Sequence, residues 1–316
     1  MKFQFIATEK AHHSLNLLCR CLRVTRSGFH AWQTRPESTR ATRDRQLKVL
    51  VHASFVASKG RYGSPRVHRD LREPGAAVSR KRVIRLMQEE QLQARTRKRF
   101  KCTTDSKHPH PVAANLLDRQ FSAAVPNQRW VGDTTEFVIG DSGKLYLAAI
   151  LDLFSRFVVG WAVSAVNDRH LTLNALERAL KRRCPEAGLL HHSDRGSTYA
   201  SEDYQDVLEA HGITCSMSRT GDCYDNAVME AFFSTVKTEL GDRFESCGGA
   251  KVQLFDYIEV FYNQRRRHST IGYVSPAVFE RAAAAHRESA LRVYEGLLEG
   301  ILQPAPPDDR RSQGLL

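Results

Sequence analysis

The chain has 316 residues, 41% of them hydrophobic, enough for about two soluble domains and at least one sizeable core. No uncharged apolar run approaches the ~18 residues of a membrane span, and MKFQFIATEKAHH lacks the apolar stretch and cleavage site of a secretory signal, so a cytoplasmic protein is expected. The net charge of +12 is unevenly spread: residues 1–110 hold 25 basic and 8 acidic side chains (+17), residues 111–316 hold 22 and 27 (−5), the pattern of a polyanion-binding module joined to a part with another task.

In chain order, AHHSLNLLCRCLRVTRSGFHAW (11–32) predicts two short helices joined at about Arg23–Thr25, with Thr25 as N-cap of the second. A longer helix follows over 40–59. RYGSPRVHRDL (61–71) and VSRKRVIRLMQEEQL (78–92) make a second helix pair, with Ser79 as N-cap and Val83, Ile84, Leu86 and Met87 turned inward. Arg80, Lys81, Arg82 and Arg85 crowd the start of its second helix, where a recognition helix meets DNA. Basic residues without apolar periodicity then predict a linker along phosphates.

From residue 128 the pattern changes to strands around 129–140, 144–154 and 157–164, an antiparallel meander. A helix over 168–183, the apolar run GLLHHSD (188–194), a helix over 201–211 capped by Ser201, a strand at 213–218 and a helix over 225–240 follow. Such alternation predicts an α/β unit, a mixed sheet with helices on its faces. The tail reads as a helix and Pro-punctuated loop over 256–280, a helix over 277–301 and a disordered end from Gln303. Seven scattered cysteines with no C-x-x-C pair predict reduced thiols, and the spacing of His12, His13, Cys19 and Cys21 fits no usual zinc pattern.

Three carboxylates stand apart from this pattern. Asp133 shares a strand face with Val131, Thr135, Phe137 and Ile139, where an unpaired acid is costly; it either caps a turn at a strand edge or serves a function. Asp194 ends the run LLHHSD, where α/β sheets place ligands, although alone it is an ordinary strand-end aspartate. Glu230 lies in DNAVMEAFFSTVKTEL with Asn226, Ser234 and Lys237 on a polar stripe, while Glu239 falls inside the apolar arc. Taken alone, Glu230 is a solvated surface residue. Converging hard carboxylates without Cys or His partners suit Mg²⁺ or Mn²⁺. Two such ions roughly 3.5–4 Å apart activate a hydroxyl and stabilise a leaving oxygen at a phosphodiester, and Lys237, two turns past Glu230, is placed to hold a phosphate beside them.

Between Asp194 and Glu230 lie 35 residues, and WVGDTTEF, HSDRGSTYAS, SMSRTGDCYDNAVMEAFFSTVKTEL and YNQRRRHSTIGYVSPAVFE occur in that order. Over residues 1–285 the chain resembles the second-reading-frame (OrfB) transposases of two-frame bacterial insertion sequences, which share the D,D(35)E core of retroviral integrases. The resemblance implies a helix-turn-helix-like basic region (1–95), a basic linker (96–125), an RNase H-like core with a five-stranded mixed sheet (126–285) and a C-terminal extension (286–316). It assigns Asp133, Asp194 and Glu230 to catalysis and to two Mg²⁺ or Mn²⁺ ions, and Lys237 to the family's basic residue after the glutamate. Arg195 and Arg219 then become DNA contacts and His192 and Asn226 support. Strand cleavage and transfer of the freed 3′-OH, both in-line phosphoryl transfers, are the implied reactions; a serine or tyrosine recombinase would need a nucleophile that no residue marks. The implied partners are element-end and target DNA, further copies of the chain and an upstream-frame product, fused by frameshifting, in a nucleoid-associated cytoplasmic setting. The alternatives are a nuclease that does not join and an inactive DNA-binding regulator. Two departures stand: Arg23 fills a turn where relatives often carry glycine, and residues past 285 exceed the usual ending.

Overall fold

The computed structural model describes residues 1–95, 112–219 and 223–302, without the side chains of 223 and 293–302. Most of the predicted linker and the tail from Gln303 lie outside the described residues. The chain forms two compact units, Met1–Ala94 and Arg95–Leu316. Among the described residues no helix is long and apolar enough to cross a membrane.

The first unit is all helical. It opens with α1 (Lys2–Glu9), not anticipated from the sequence, followed by α2 (Leu15–Cys21) and α3 (Arg26–Thr34). Ile6, Leu18, Cys19 and Phe29 bury their side chains between these three helices. Thr25 caps α3 by accepting from the Gly28 amide at 3.0 Å. Arg23 takes a left-handed conformation (φ 52°), the one glycine adopts without strain, and the Val24 amide closes the turn onto Cys19 O at 3.0 Å. Then come α4 (Thr39–Ala57), α5 (Ser64–Arg72) and α6 (Arg80–Glu89), the last capped by Ser79 as predicted. Leu47, Val51, Val67, Leu71, Val83, Leu86 and Met87 are buried, while Ile84 is only half-buried.

In the second unit β1 (Arg129–Ile139), β2 (Gly143–Asp152) and β3 (Val158–Ser164) form the expected meander. After α7 (Arg169–Arg183), β4 (Leu190–Ser193) returns parallel to β1, and after α8 (Glu202–Ala210), β5 (Thr214–Met217) lies parallel to β4. Strand order is β3-β2-β1-β4-β5, and a two-residue β6 (Arg243–Phe244) adds to the far end of β1. On one face Trp130, Ala148, Ile150, Val159 and Ala162 bury against α7 and α8. A Cβ on Gly160 would stand 2.3 Å from Ala175 O and 2.7 Å from the Ala179 Cβ, so only glycine lets α7 pack this close to β3. Against the other face lies α9 (Ala227–Leu240), followed by α10 (Cys247–Phe255), a π-helical turn (Asp256–Tyr262) and α11 (Pro276–Leu302). Ser201 stands at the α8 N-cap without capping it; its hydroxyl donates to Thr198 O at 2.8 Å instead. Residues 112–125, expected as linker, pack on this unit: Leu117 is buried and its amide donates to Ser216 Oγ at 3.2 Å.

Candidate active site

Strand register brings the two aspartates together. In the parallel pair β1–β4, Val131 stands opposite His192. Two residues further along each strand direction come Asp133 and Asp194, level with each other and on one face of the sheet. Asp133 stays inside β1, its carboxylate accepting from the Thr134 amide at 2.7 Å. Asp194 has just left β4, and its Oδ1 accepts from the Gly196 amide at 2.9 Å, which turns the chain away from the sheet.

Helix α9 crosses that face. The Lys237 ammonium lies 5.5 Å from the centre of the Phe137 ring, so Lys237 sits over β1 four residues past Asp133. Four strand residues span about 13 Å and seven helical residues about 10 Å. Running beside β1 toward β6, α9 therefore carries Glu230 back toward Asp133, near enough to act on its carboxyl. The electrostatics agree: burial first, then Asp194, and further Glu230, push the Asp133 carboxyl well above its ordinary range, against the pull of the Thr134 amide and Lys237. Burial lowers the Lys237 pKa, opposed by Glu136, Asp242 and Asp133. Among the described residues no three His, Cys, Asp or Glu side chains already stand at ligand spacing. Glu230 is exposed, with freedom to swing toward the aspartates.

The polar stripe differs from the expectation. Asn226 precedes α9 at the end of a 3₁₀ turn (Cys223–Asn226), and both it and Ser234 are buried. The Asn226 Oδ1 and Ser234 Oγ find no hydrogen-bond partner among the described residues. His192 is buried on the Asp194 face between Ser216 Oγ (2.9 Å) and Ser218 Oγ (3.2 Å), and burial lowers its pKa to about 4. Arg195 donates to Ser218 O, and Arg219 pairs with Asp118 and Asp225, so both expected DNA contacts have protein partners. In the helical unit Arg80 and Lys81 are exposed, but Asp44 on α4 takes Arg82 at 2.6 Å and Arg85 at 2.7 Å.

Sequence reasoning missed two buried carboxylates at the ends of α9. Asp225 accepts from Asn115 Nδ2 (2.7 Å), Arg119 Nε (3.1 Å) and the Arg219 amide (2.9 Å). Burial pushes its carboxyl up, but the Arg219 amide, the Arg119 hydrogen bond and the two guanidinium charges hold it below the ordinary value. Glu239, the misfit of the apolar arc, is gripped by Arg266 through contacts of 2.8–3.0 Å and by the Tyr257 hydroxyl at 2.9 Å. Burial works against the Arg266 charge, yet Glu239 holds its pKa above the usual value. A signal for the second pair existed: an acid inside an apolar arc demands a buried cation.

A basic helical unit followed by a sheet that gathers acids at one level defines a DNA-processing phosphoryl transferase with an RNase H-like core. Two family models described as "Integrase core domain" match residues 123–223 and 211–276, and one described as "HTH-like domain" matches residues 42–100. The transposase InsF for insertion sequence IS3A of Escherichia coli K12 is 41% identical over 284 residues, covering 89% of this chain and 98% of its own. The insertion element IS600 uncharacterized 31 kDa protein of Shigella sonnei is 41% identical over 264 residues, 83% of this chain and 97% of its own. A simian T-cell lymphotropic virus intasome chain aligns at 14% identity and TM-score 0.41 over 72% of each chain, too loosely to carry weight. The chain belongs to the IS3-type insertion-sequence transposases. It is a polynucleotidyl transferase of DNA transposition; the nuclease and regulator alternatives are not favoured.

Proposed function

We propose that Asp133, Asp194 and Glu230 are the catalytic acids of this transposase and hold two divalent ions, Mg²⁺ or Mn²⁺, at which element ends are cut and joined. The carrying observation is the shared level of Asp133 and Asp194 with Glu230 in the field of Asp133. The donor set fits such ions: three hard carboxylates, one on a strand, one just past a strand and one free to move on a helix. When bound, the ions supply Lewis-acid polarisation of the scissile phosphate. Lys237, seated on Phe137, neutralises a DNA phosphate next to the acids. His192 and Asn226 fix the loops that carry the acids, and Arg195 and Arg219 act on DNA through the loops they brace.

In the helical unit Arg80 and Lys81 meet phosphates, and Arg82 and Arg85, tied to Asp44, set the angle of α6 on the DNA. Two ends joined in one event call for several copies of the chain, with the upstream-frame product as a further partner. The test is strand transfer on a labelled element end with Mg²⁺ or Mn²⁺, wild type beside Glu230→Gln. Metal-dependent joined products that vanish in the variant are expected. Equal activity in the two proteins would overturn the assignment of Glu230.

A further inference from the structure

Tyr224 is the most exposed aromatic ring of the described residues, 68% accessible, in the turn that leads into α9. A solvent-facing aromatic alone would be unremarked surface; this one stands beside a buried, hydrogen-bonded anchor. Its neighbour Asp225 is buried and holds the turn from three sides, through Asn115, Arg119 and the Arg219 amide. The Arg119 guanidinium, already fixed by Asp225, lies 5.7 Å from the centre of the Tyr224 ring. One side of the ring thus has a cationic neighbour, and most of it stays open to solvent.

The turn lies at the end of the sheet that carries the acids. In the β4–β5 pair Ser193 stands opposite Met217, so Ser218 is level with Asp194, and the Arg195 side chain bonds across to Ser218 O. The chain leaves β5 there, and the Arg219–Asp225 bond brings the end of the loop back to the same place. Tyr224 therefore stands on the rim of the acidic site, one residue before the anchor and six before Glu230.

Unpaired DNA bases stack on exposed aromatic side chains, most readily beside cationic groups that track the backbone. We propose that Tyr224 is a stacking platform for a DNA base unpaired next to the reacting phosphate. This rests on the reading that Asp133, Asp194 and Glu230 form the reacting centre. Stacking needs the ring and not the hydroxyl, so Tyr224→Phe keeps the function and Tyr224→Leu, apolar but without a π face, loses it.

The test uses the full chain and element-end duplexes carrying 5-iododeoxyuridine at successive positions around the cleavage junction, a probe that photocrosslinks to a stacked aromatic ring. A crosslink confined to one or two positions, mapped to residue 224 by mass spectrometry, retained in Tyr224→Phe and lost in Tyr224→Leu, is expected. Strand transfer should fall about 5- to 150-fold in Tyr224→Leu and stay near wild type in Tyr224→Phe. Melting curves of both variants should match wild type, because the ring is exposed. No crosslink at residue 224, or equal strand transfer by the Phe and Leu variants, would overturn the proposal. Glu230→Gln separates the two readings: a crosslink retained there with strand transfer abolished supports both, whereas full strand transfer by Glu230→Gln sinks the acid assignment and leaves the crosslink to judge Tyr224.

Discussion

Replacing Arg266 with methionine should unfold the catalytic unit at a markedly lower temperature. Arg266 is 4% exposed and Glu239 8%; the guanidinium Nε lies 3.0 Å from both carboxylate oxygens and a terminal nitrogen 2.8 Å from one. Methionine fills much of the volume but leaves Glu239 charged, buried and held only by the Tyr257 hydroxyl among these partners. Breaking such a pair from one side costs about 3–5 kcal/mol. For a unit of this size each kcal/mol is about 2–4 °C, so a loss of roughly 6–20 °C is expected by circular dichroism or calorimetry of the full chain. Arg266→Met combined with Glu239→Leu removes both charges and should recover most of the loss, since an apolar pair of similar volume is often neutral or better. A single variant that melts within about 2 °C of wild type, or a double variant no better than the single, would refute the claim that the pair's value lies in mutual neutralisation.

Three further outcomes follow from the same structure. Asp225→Asn keeps the shape of the α9 anchor but not its charge, so strand transfer should drop about 10- to 100-fold through a displaced Glu230, measured as kcat beside a melting curve; wild-type turnover would count against a positioning role. Burial lowers the His192 pKa to about 4 and the His191 pKa to about 3; because the folded values lie below the ordinary 6.5, stability is complete above that pH and drains away as pH falls toward 4. From pH 7 to pH 5 each histidine should remove about 2 kcal/mol, read from urea midpoints at the two pH values, and equal midpoints would contradict it. Gly160→Ala drives a methyl into Ala175 O and should cost about 1–3 kcal/mol as α7 shifts; an unchanged melting temperature would mean that α7 moves away freely.

What could be read from the sequence was what short-range pattern encodes. Alternation along residues 129–164 gave the meander, and the serine and threonine ahead of α3 and α6 gave their caps. The three acids proposed as catalytic are singled out by a spacing that repeats a known pattern; nothing local marks Glu230. Partners distant in the chain were not legible. Arg82 and Arg85 read as free charges until Asp44, about forty residues earlier, came to meet them. Asp225 depends on Asn115 and Arg119, more than a hundred residues away and inside what read as linker. The unexpected helix α1 is eight residues long with Ile6 its only buried side chain, too little periodicity to declare itself.

The two buried carboxylates suit an exposed glutamate to the proposed metal site, which demands accurate placement. Asp133 and Asp194 need no adjustment, because hydrogen bonding between β1 and β4 sets their level. Glu230 belongs to a helix outside the strand ladder, and apolar packing of Met229, Phe232 and Val236 resists lifting better than it resists sliding. Sliding by one turn would carry Glu230 about 5.4 Å out of register. Asp225 blocks that motion at one end, tied to the loop leaving β5, and Glu239 blocks it at the other, tied to Arg266 beyond α10. Each lock is a directional, charged contact whose loss by sliding would strand a buried ion, so the penalty is steep where packing alone is shallow. That leaves the Glu230 side chain as the one soft coordinate of the three acids, and its remaining freedom is rotation about its own bonds.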